Sequence, residues 1–211
     1  PALGQGNLRD GTDGFLVQGT ASYEYLGKDV AGIGDVNGDG FADFAITATD
    51  HDVNGVTDAG STYVVFGGAR STSVDVTNLG AGGFVINGEK SEHSLGQSVS
   101  WAGDVNGDGL ADMIIGEVDV GTNSYNGTAY VVFGKTDTST VTTSDLQRGD
   151  GGFAINSTKV GNPDQLGFSV SYAGDLNGDG LADLVVGAPY WDIDGTGAGA
   201  NHSGDNRGLS H

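Results

Sequence analysis

The sequence predicts an all-β fold made of repeated four-stranded antiparallel sheets, and three observations carry that expectation. An acidic loop recurs as "GDVNGDGFAD" at 34–43, "GDVNGDGLAD" at 103–112 and "GDLNGDGLAD" at 174–183, with steps of 69 and 71 residues. Short apolar runs rich in β-branched and aromatic residues accompany it in fixed order, each bounded by Gly, Asn or Asp. No stretch sustains a 3.6-residue apolar period, so little helix is expected.

The elements follow from these landmarks. "GFLVQG" (14–19), "GFVING" (83–88) and "GFAINS" (152–157) align and form strand d of each unit. "YLGKDV" (25–30), "SLGQSV" (94–99) and "QLGFSV" (165–170) open strand a. The acidic loop comes next, then strand b, as in "FADFAITAT" (41–49). A long loop leads to strand c, "STYVVFGG" (61–68) and "TAYVVFGK" (128–135). Four antiparallel strands are the content of one β-propeller blade. The chain is thus a single repeat array with units at about 14–82, 83–151 and 152–211. It holds two complete blades and a partial third that lacks its strand c, eleven strands in all. A propeller closes with at least about four blades. The open edges are therefore expected to be filled by other copies of the chain or by the remainder of a longer parent.

Composition narrows the function. The formal net charge is −20 over 211 residues, with 40 Gly and no Cys. The ordered apolar runs rule against disorder as the reading of that charge. So much negative charge argues against nucleic acid and anionic membrane surfaces. No apolar run approaches a membrane span, so no membrane insertion is expected. The opening "PALGQG" has no basic-then-apolar leader and reads as a mature or excised piece. Without Cys there is neither a disulfide framework nor a thiolate metal site.

A cation is the natural partner of the acidic loops. With Asp35 as position 1, Asn37, Asp39, Gly40, Phe41 and Asp43 fall at 3, 5, 6, 7 and 9. Side-chain oxygens at 1, 3 and 5, a turn-permitting Gly and an inward carbonyl at 7 follow the Ca²⁺ logic of the EF-hand loop. The EF-hand closes with Glu at 12, where this chain has Ile46, Ile115 and Val186, so that motif is excluded and Asp at 9 supplies the last carboxylate.

The unit resembles the FG-GAP repeat of integrin α-subunit β-propellers and their bacterial relatives. The carrying residues are "LGxSV", "GDxNGDGxAD", "GAP" (here only Gly187–Pro189) and "YVVFG". The resemblance implies three Ca²⁺ sites. The first is Asp35, Asn37, Asp39, the Phe41 carbonyl and Asp43. The second is Asp104, Asn106, Asp108, the Leu110 carbonyl and Asp112. The third is Asp175, Asn177, Asp179, the Leu181 carbonyl and Asp183.

Other candidates are weaker. Arg148–Gly149–Asp150 spells the tripeptide that integrins recognise, in a c–d loop. His51, His93, His202 and His211 read as exposed loop residues, and Asp50, Asp52, Asp119, Asp192 and Asp194 as solvated loop charge or a weak second cation site. Trp101, Tyr172 and Trp191 read as packing residues, with sugar stacking the alternative for Trp191. No nucleophile elbow, P-loop or dinucleotide fingerprint appears, so no enzyme is expected. The expectation is an extracellular or surface-exposed, Ca²⁺-binding propeller segment with an adhesive or structural role toward protein or glycan. The alternatives are a non-catalytic accessory propeller of a secreted polysaccharide-active enzyme and a subunit of a fibre joined by strand complementation.

Overall fold

The computed structural model describes residues 14–19, 24–68, 73–120, 126–157 and 164–190. All eleven expected strands form. They are β1 (Val17–Gln18), β2 (Leu26–Gly34), β3 (Asp43–Ala48), β4 (Ser61–Val65), β6 (Gly83–Asn87), β7 (Leu95–Gly103), β8 (Asp112–Val118), β9 (Gly127–Val132), β11 (Gly152–Asn156), β12 (Ser169–Gly174) and β13 (Asp183–Gly187). Two further two-residue strands, β5 (Val74–Asp75) and β10 (Val141–Thr142), lie in the c–d connections.

The sheets fix the phase of the repeat. Antiparallel pairing runs β2–β3–β4–β6 and β7–β8–β9–β11, with β12–β13 beginning a third sheet. A blade therefore holds strands a, b, c and the d that follows them, over 26–87 and 95–156. The sequence units at 14–82, 83–151 and 152–211 start each repeat on d instead, which is the same array cut one strand earlier. Strand d joins the strand c before it because the c–d connection returns directly to that edge, where Val65 faces Gly83 and Val132 faces Gly152.

The small strands tie one blade to the next. β10, from the c–d connection of the second blade, runs parallel to β6, the outer strand of the first (Val141 opposite Ile86). β5 runs parallel to β1 in the same way (Val17 opposite Val74). β1 thus pairs with the c–d connection of the first blade as β6 pairs with that of the second.

Blades pack face to face through apolar residues that neither faces alone could bury. One cluster joins Ile33, Val36, Val64 and Phe84 of the first blade to Leu95, Val99, Met113, Ile115 and Tyr130 of the second. Another joins Ala102, Ile114 and Val131 to Leu166, Val170 and Val186 of the third. Glycines permit the approach: a Cβ on Gly34 would lie 2.7 Å from Ala111 Cβ, and one on Gly103 2.8 Å from Ala182 Cβ. The a strands β2, β7 and β12 lie side by side. Val99 N–H donates to Asp29 Oδ2 at 2.9 Å, and Val170 N–H to Ser98 Oγ at 3.3 Å, the same bond one blade on.

Among the described residues one short α-helix forms, in keeping with the little helix expected. α1 (Thr143–Arg148) follows β10, with Thr142 and Asp145 forming a capping box and Gly149 ending it at φ 85°. The equivalent stretch of the first blade forms two 3₁₀ turns, Val76–Asn78 and Gly80–Gly82. Six residues are too few to show a helical period, and Leu146 is the residue that anchors α1 in the core. No helix among the described residues is long and apolar enough to cross a membrane.

Candidate metal loops

Each acidic loop joins strand a to strand b at one end of its blade, and each is built on the same hydrogen bonds. Asp35 Oδ1 accepts from Gly38 N–H (2.7 Å) and Asp39 N–H (3.1 Å), and Asp35 Oδ2 from Gly40 N–H (2.8 Å). Asn37 Oδ1 accepts from Asp39 N–H, and Asp39 Oδ1 from Phe41 N–H. Asp104, Asn106 and Asp108 repeat the pattern, as do Asp175, Asn177 and Asp179. Gly38 and Gly40 take φ of 77° and 89°, which only glycine adopts freely, so the amides turn inward onto the first aspartate.

Sequence reasoning missed this ring of amides. Four backbone N–H groups, those of Gly38, Asp39, Gly40 and Phe41 in the first loop, make five bonds to these side chains and offset part of the repulsion among the carboxylates. The signal was present in the glycines at positions 4 and 6.

The position-9 aspartate does a second job. Asp43 and Asp112 are buried at the start of strand b. Asp43 Oδ2 accepts from Val36 N–H at 2.8 Å and Oδ1 from Gly67 N–H at 2.6 Å, so it bolts the loop to the end of strand c. Asp112 does the same with Val105 and Gly134. Asp183 takes the loop amide of Leu176 at 2.6 Å. Burial, outweighing the amide bonds, pushes the Asp43 and Asp112 carboxyls above the ordinary value, and Asp39 and Asp35 add to the push on Asp43.

The donor set fits a hard cation: carboxylate, amide and carbonyl oxygens, with no nitrogen or sulfur. Asp35 Oδ2, Asp39 Oδ1 and both oxygens of Asp43 accept one bond apiece and keep a second lone-pair direction, whereas Asp35 Oδ1 uses both of its own. Among the described residues no three Asp, Glu or His side chains converge tightly enough to hold an ion by themselves. Asn37 and the Phe41 carbonyl, with their counterparts in the other loops, would have to complete each set.

The remaining candidates are reassigned by their contacts. Arg148 Nη2 donates to Asp145 Oδ1 at 2.5 Å and Nε to Asp150 Oδ2 at 3.3 Å, while Gly149 is the helix cap. The tripeptide is a helix terminus folded on itself. His51 and His93 are not free loop residues: His51 Nδ1 meets Glu24 Oε1 at 3.0 Å and His93 Nδ1 meets Glu117 Oε1 at 3.1 Å. Asp119 is buried and lies 3.9 Å from His93 Nε2. Trp101 packs on Tyr172 with ring centroids 4.5 Å apart. Trp191, Asp192, Asp194, His202 and His211 lie outside the described residues.

Sheets of four antiparallel strands, stacked face to face with their a strands adjacent and an acidic a–b loop on each, define a partial β-propeller. Its units are FG-GAP repeats: the FG-GAP repeat profile matches residues 29–65 and 167–200. The chain is 30% identical over 195 residues to integrin alpha-V of Gallus gallus, covering 88% of this chain and 16% of that protein. It is 29% identical over 196 residues to phosphatidylinositol-glycan-specific phospholipase D of Dictyostelium discoideum, covering 85% of this chain and 19% of that one. The phospholipase D of that name from Bos taurus is 27% identical over 161 residues, covering 74% of this chain and 18% of its own. The chain thus spans less than a fifth of the length of these relatives.

Proposed function

We propose that this propeller segment binds one Ca²⁺ in each of its three a–b loops and serves outside the cell as a non-catalytic interaction module. The observation that carries the reading is the identity of the three loops: the same oxygen donors on the same amide scaffold, repeated without a departure at any ligand position. Asp35, Asn37, Asp39, Phe41 O and Asp43 would hold the first ion, and the corresponding five residues the second and third. Bound there, the ion would neutralise carboxylates that now face only amides. At free Ca²⁺ one hundred times the dissociation constant, each site would add about 2.7 kcal/mol. Millimolar extracellular Ca²⁺ suits loops of moderate affinity, which supports an extracellular setting.

The partner surface follows from exposure. Val30 is 59% exposed, whereas Val99 and Val170, its equivalents, are 5% and 7% exposed beneath the preceding blade. A further blade, from a longer parent chain or another copy, would cover Val30. The phospholipase D relatives favour a second reading, in which the module accompanies a catalytic domain and contributes recognition of protein or glycan. Calorimetric titration of the chelated protein with CaCl₂ tests the metal reading. Three sites are expected, falling to two in Asp108→Ala; no heat above dilution would refute it.

A further inference from the structure

The chain contains six Asn-Gly pairs, at Asn37, Asn54, Asn87, Asn106, Asn126 and Asn177. Asn-Gly is the dipeptide most prone to self-modification, because glycine leaves its own nitrogen unhindered toward the asparagine side chain. That nitrogen must be free to attack. The fold decides which of the six pairs has it free.

Five are restrained. Gly38, Gly107 and Gly178 donate their N–H to Asp35, Asp104 and Asp175 at 2.7, 2.8 and 2.7 Å. In the same loops the Asn oxygens accept from Asp39, Asp108 and Asp179, which fixes the carboxamides too. Gly88 donates to Gly60 O at 2.9 Å. Gly127 is buried at the start of β9. The sixth differs. Asn54 (φ 52°) and Gly55 (φ 85°) form the two-residue tip of the hairpin closed by Val53 and Val56. Both are exposed, and among the described residues neither the Gly55 amide nor the Asn54 carboxamide has a hydrogen-bond partner.

We propose that Asn54 is a site of spontaneous deamidation in the native protein, and that the acidic loops hold their own asparagines inert. The Gly55 nitrogen bonds to Asn54 Cγ, the Cγ–Nδ2 bond breaks, and the side-chain nitrogen leaves as ammonia, taking the proton of the Gly55 amide. Water then opens the five-membered imide at either carbonyl, giving aspartate or isoaspartate. No oxidant or other reactant is needed.

The consequences are local and specific. Isoaspartate lengthens the backbone by one atom, which a two-residue hairpin tip does not accommodate. That tip belongs to the loop whose Thr57, Asp58 and Ala59 carbonyls receive the amides of Glu92, Ser94 and Leu95 at the entry to the second blade. The new carboxylate also joins an acidic neighbourhood. Burial, and then the charges of Asp50, Asp52 and Glu92, already hold the Asp58 carboxyl above its ordinary value.

The test is peptide mapping by mass spectrometry of the full chain aged in mildly alkaline buffer, with enzymatic isoaspartate labelling. Asn54 should convert roughly tenfold or more faster than Asn37, Asn106 and Asn177 in the folded protein. In urea the rates should converge, and Asn54→Gln should abolish most of the isoaspartate formed by the folded protein. Equal rates in the folded protein would overturn the proposal. So would an Asn54 rate that stays equally far ahead in urea, since local sequence rather than the fold would then set it.

Discussion

Asp43 Oδ1 accepts the Gly67 amide at 2.6 Å, across a separation of 24 residues. The bond joins the end of an acidic loop to the end of strand c, and Asp112 repeats it with Gly134 at 2.8 Å. The loops are thus part of the blade's framework and not appendages to it. That coupling is why a change in a loop should be felt throughout its blade.

Asp112→Asn is the first consequence. Asp112 is fully buried, and both its oxygens serve amides. Asparagine would turn an NH₂ toward one of those donors, leaving a buried amide unpaired at a cost of about 1–3 kcal/mol. Urea unfolding should show that loss in chelator as well as in Ca²⁺, because the two amide bonds need no ion.

Asp108→Ala should behave differently. Asp108 is exposed, and its Oδ1 accepts only the local Leu110 amide. If its chief role is to hold Ca²⁺, the substitution lowers Tm clearly in Ca²⁺ and only slightly in chelator. The contrast between Asp108 and Asp112 separates ligation from framework. A fall of equal size in both buffers for Asp108→Ala would remove the metal role from that loop.

Much of this was legible in the sequence, for reasons that differ by element. The eleven strands of the repeat showed themselves because each recurs at a step near 70 residues with its turn residues attached. The loop donors were legible because their spacing is local. What stayed hidden was non-local or very short. Whether Gly83–Asn87 pairs with the strand before it or opens the next blade depends on a chain reversal that sequence phase does not encode. The parallel pairing of Val141 with Ile86 involves two residues and has no periodicity to detect. The pairing of His93 with Glu117 crosses from the d–a connection to strand b, and no spacing rule links them. The helix at Thr143–Arg148 did carry a signal, Thr142 followed three residues later by Asp145, a variant of the capping box.

The blade interface offers a backbone test. Gly103 has φ 83°, and an added Cβ would approach Ala182 Cβ to 2.8 Å and Tyr172 Cε2 to 3.3 Å. Gly103→Ala combines a left-handed backbone, about 1–2 kcal/mol, with displacement of the third blade. The Trp101–Tyr172 stack should loosen with it. A red shift of Trp fluorescence before global unfolding is expected, and an unchanged spectrum with an unchanged unfolding midpoint would contradict the packing described.

The capped helix gives the clearest pH dependence. Asp145 accepts from the Thr142 hydroxyl and, at 2.8 Å, from the Thr142 amide, and Arg148 adds its charge. The Thr142 hydroxyl bond and its amide bond, with a lesser contribution from the Arg148 charge, hold the carboxyl below its ordinary value against the opposing effect of burial. A carboxyl depressed in the folded state contributes stability that is present above the unfolded-state value of 3.8 and is lost as pH falls through the lower, folded value. Thr142→Ala removes the cap and should cost about 0.5–2 kcal/mol at neutral pH. Below pH 3.8 the gap between wild type and Thr142→Ala should narrow, because protonation of Asp145 weakens the same cap in the wild type. Amide hydrogen exchange at Leu146 and Gln147, followed from neutral pH into acid in both proteins, would show it, and a gap that persists unchanged at the acid end would exclude Asp145 as the titrating partner.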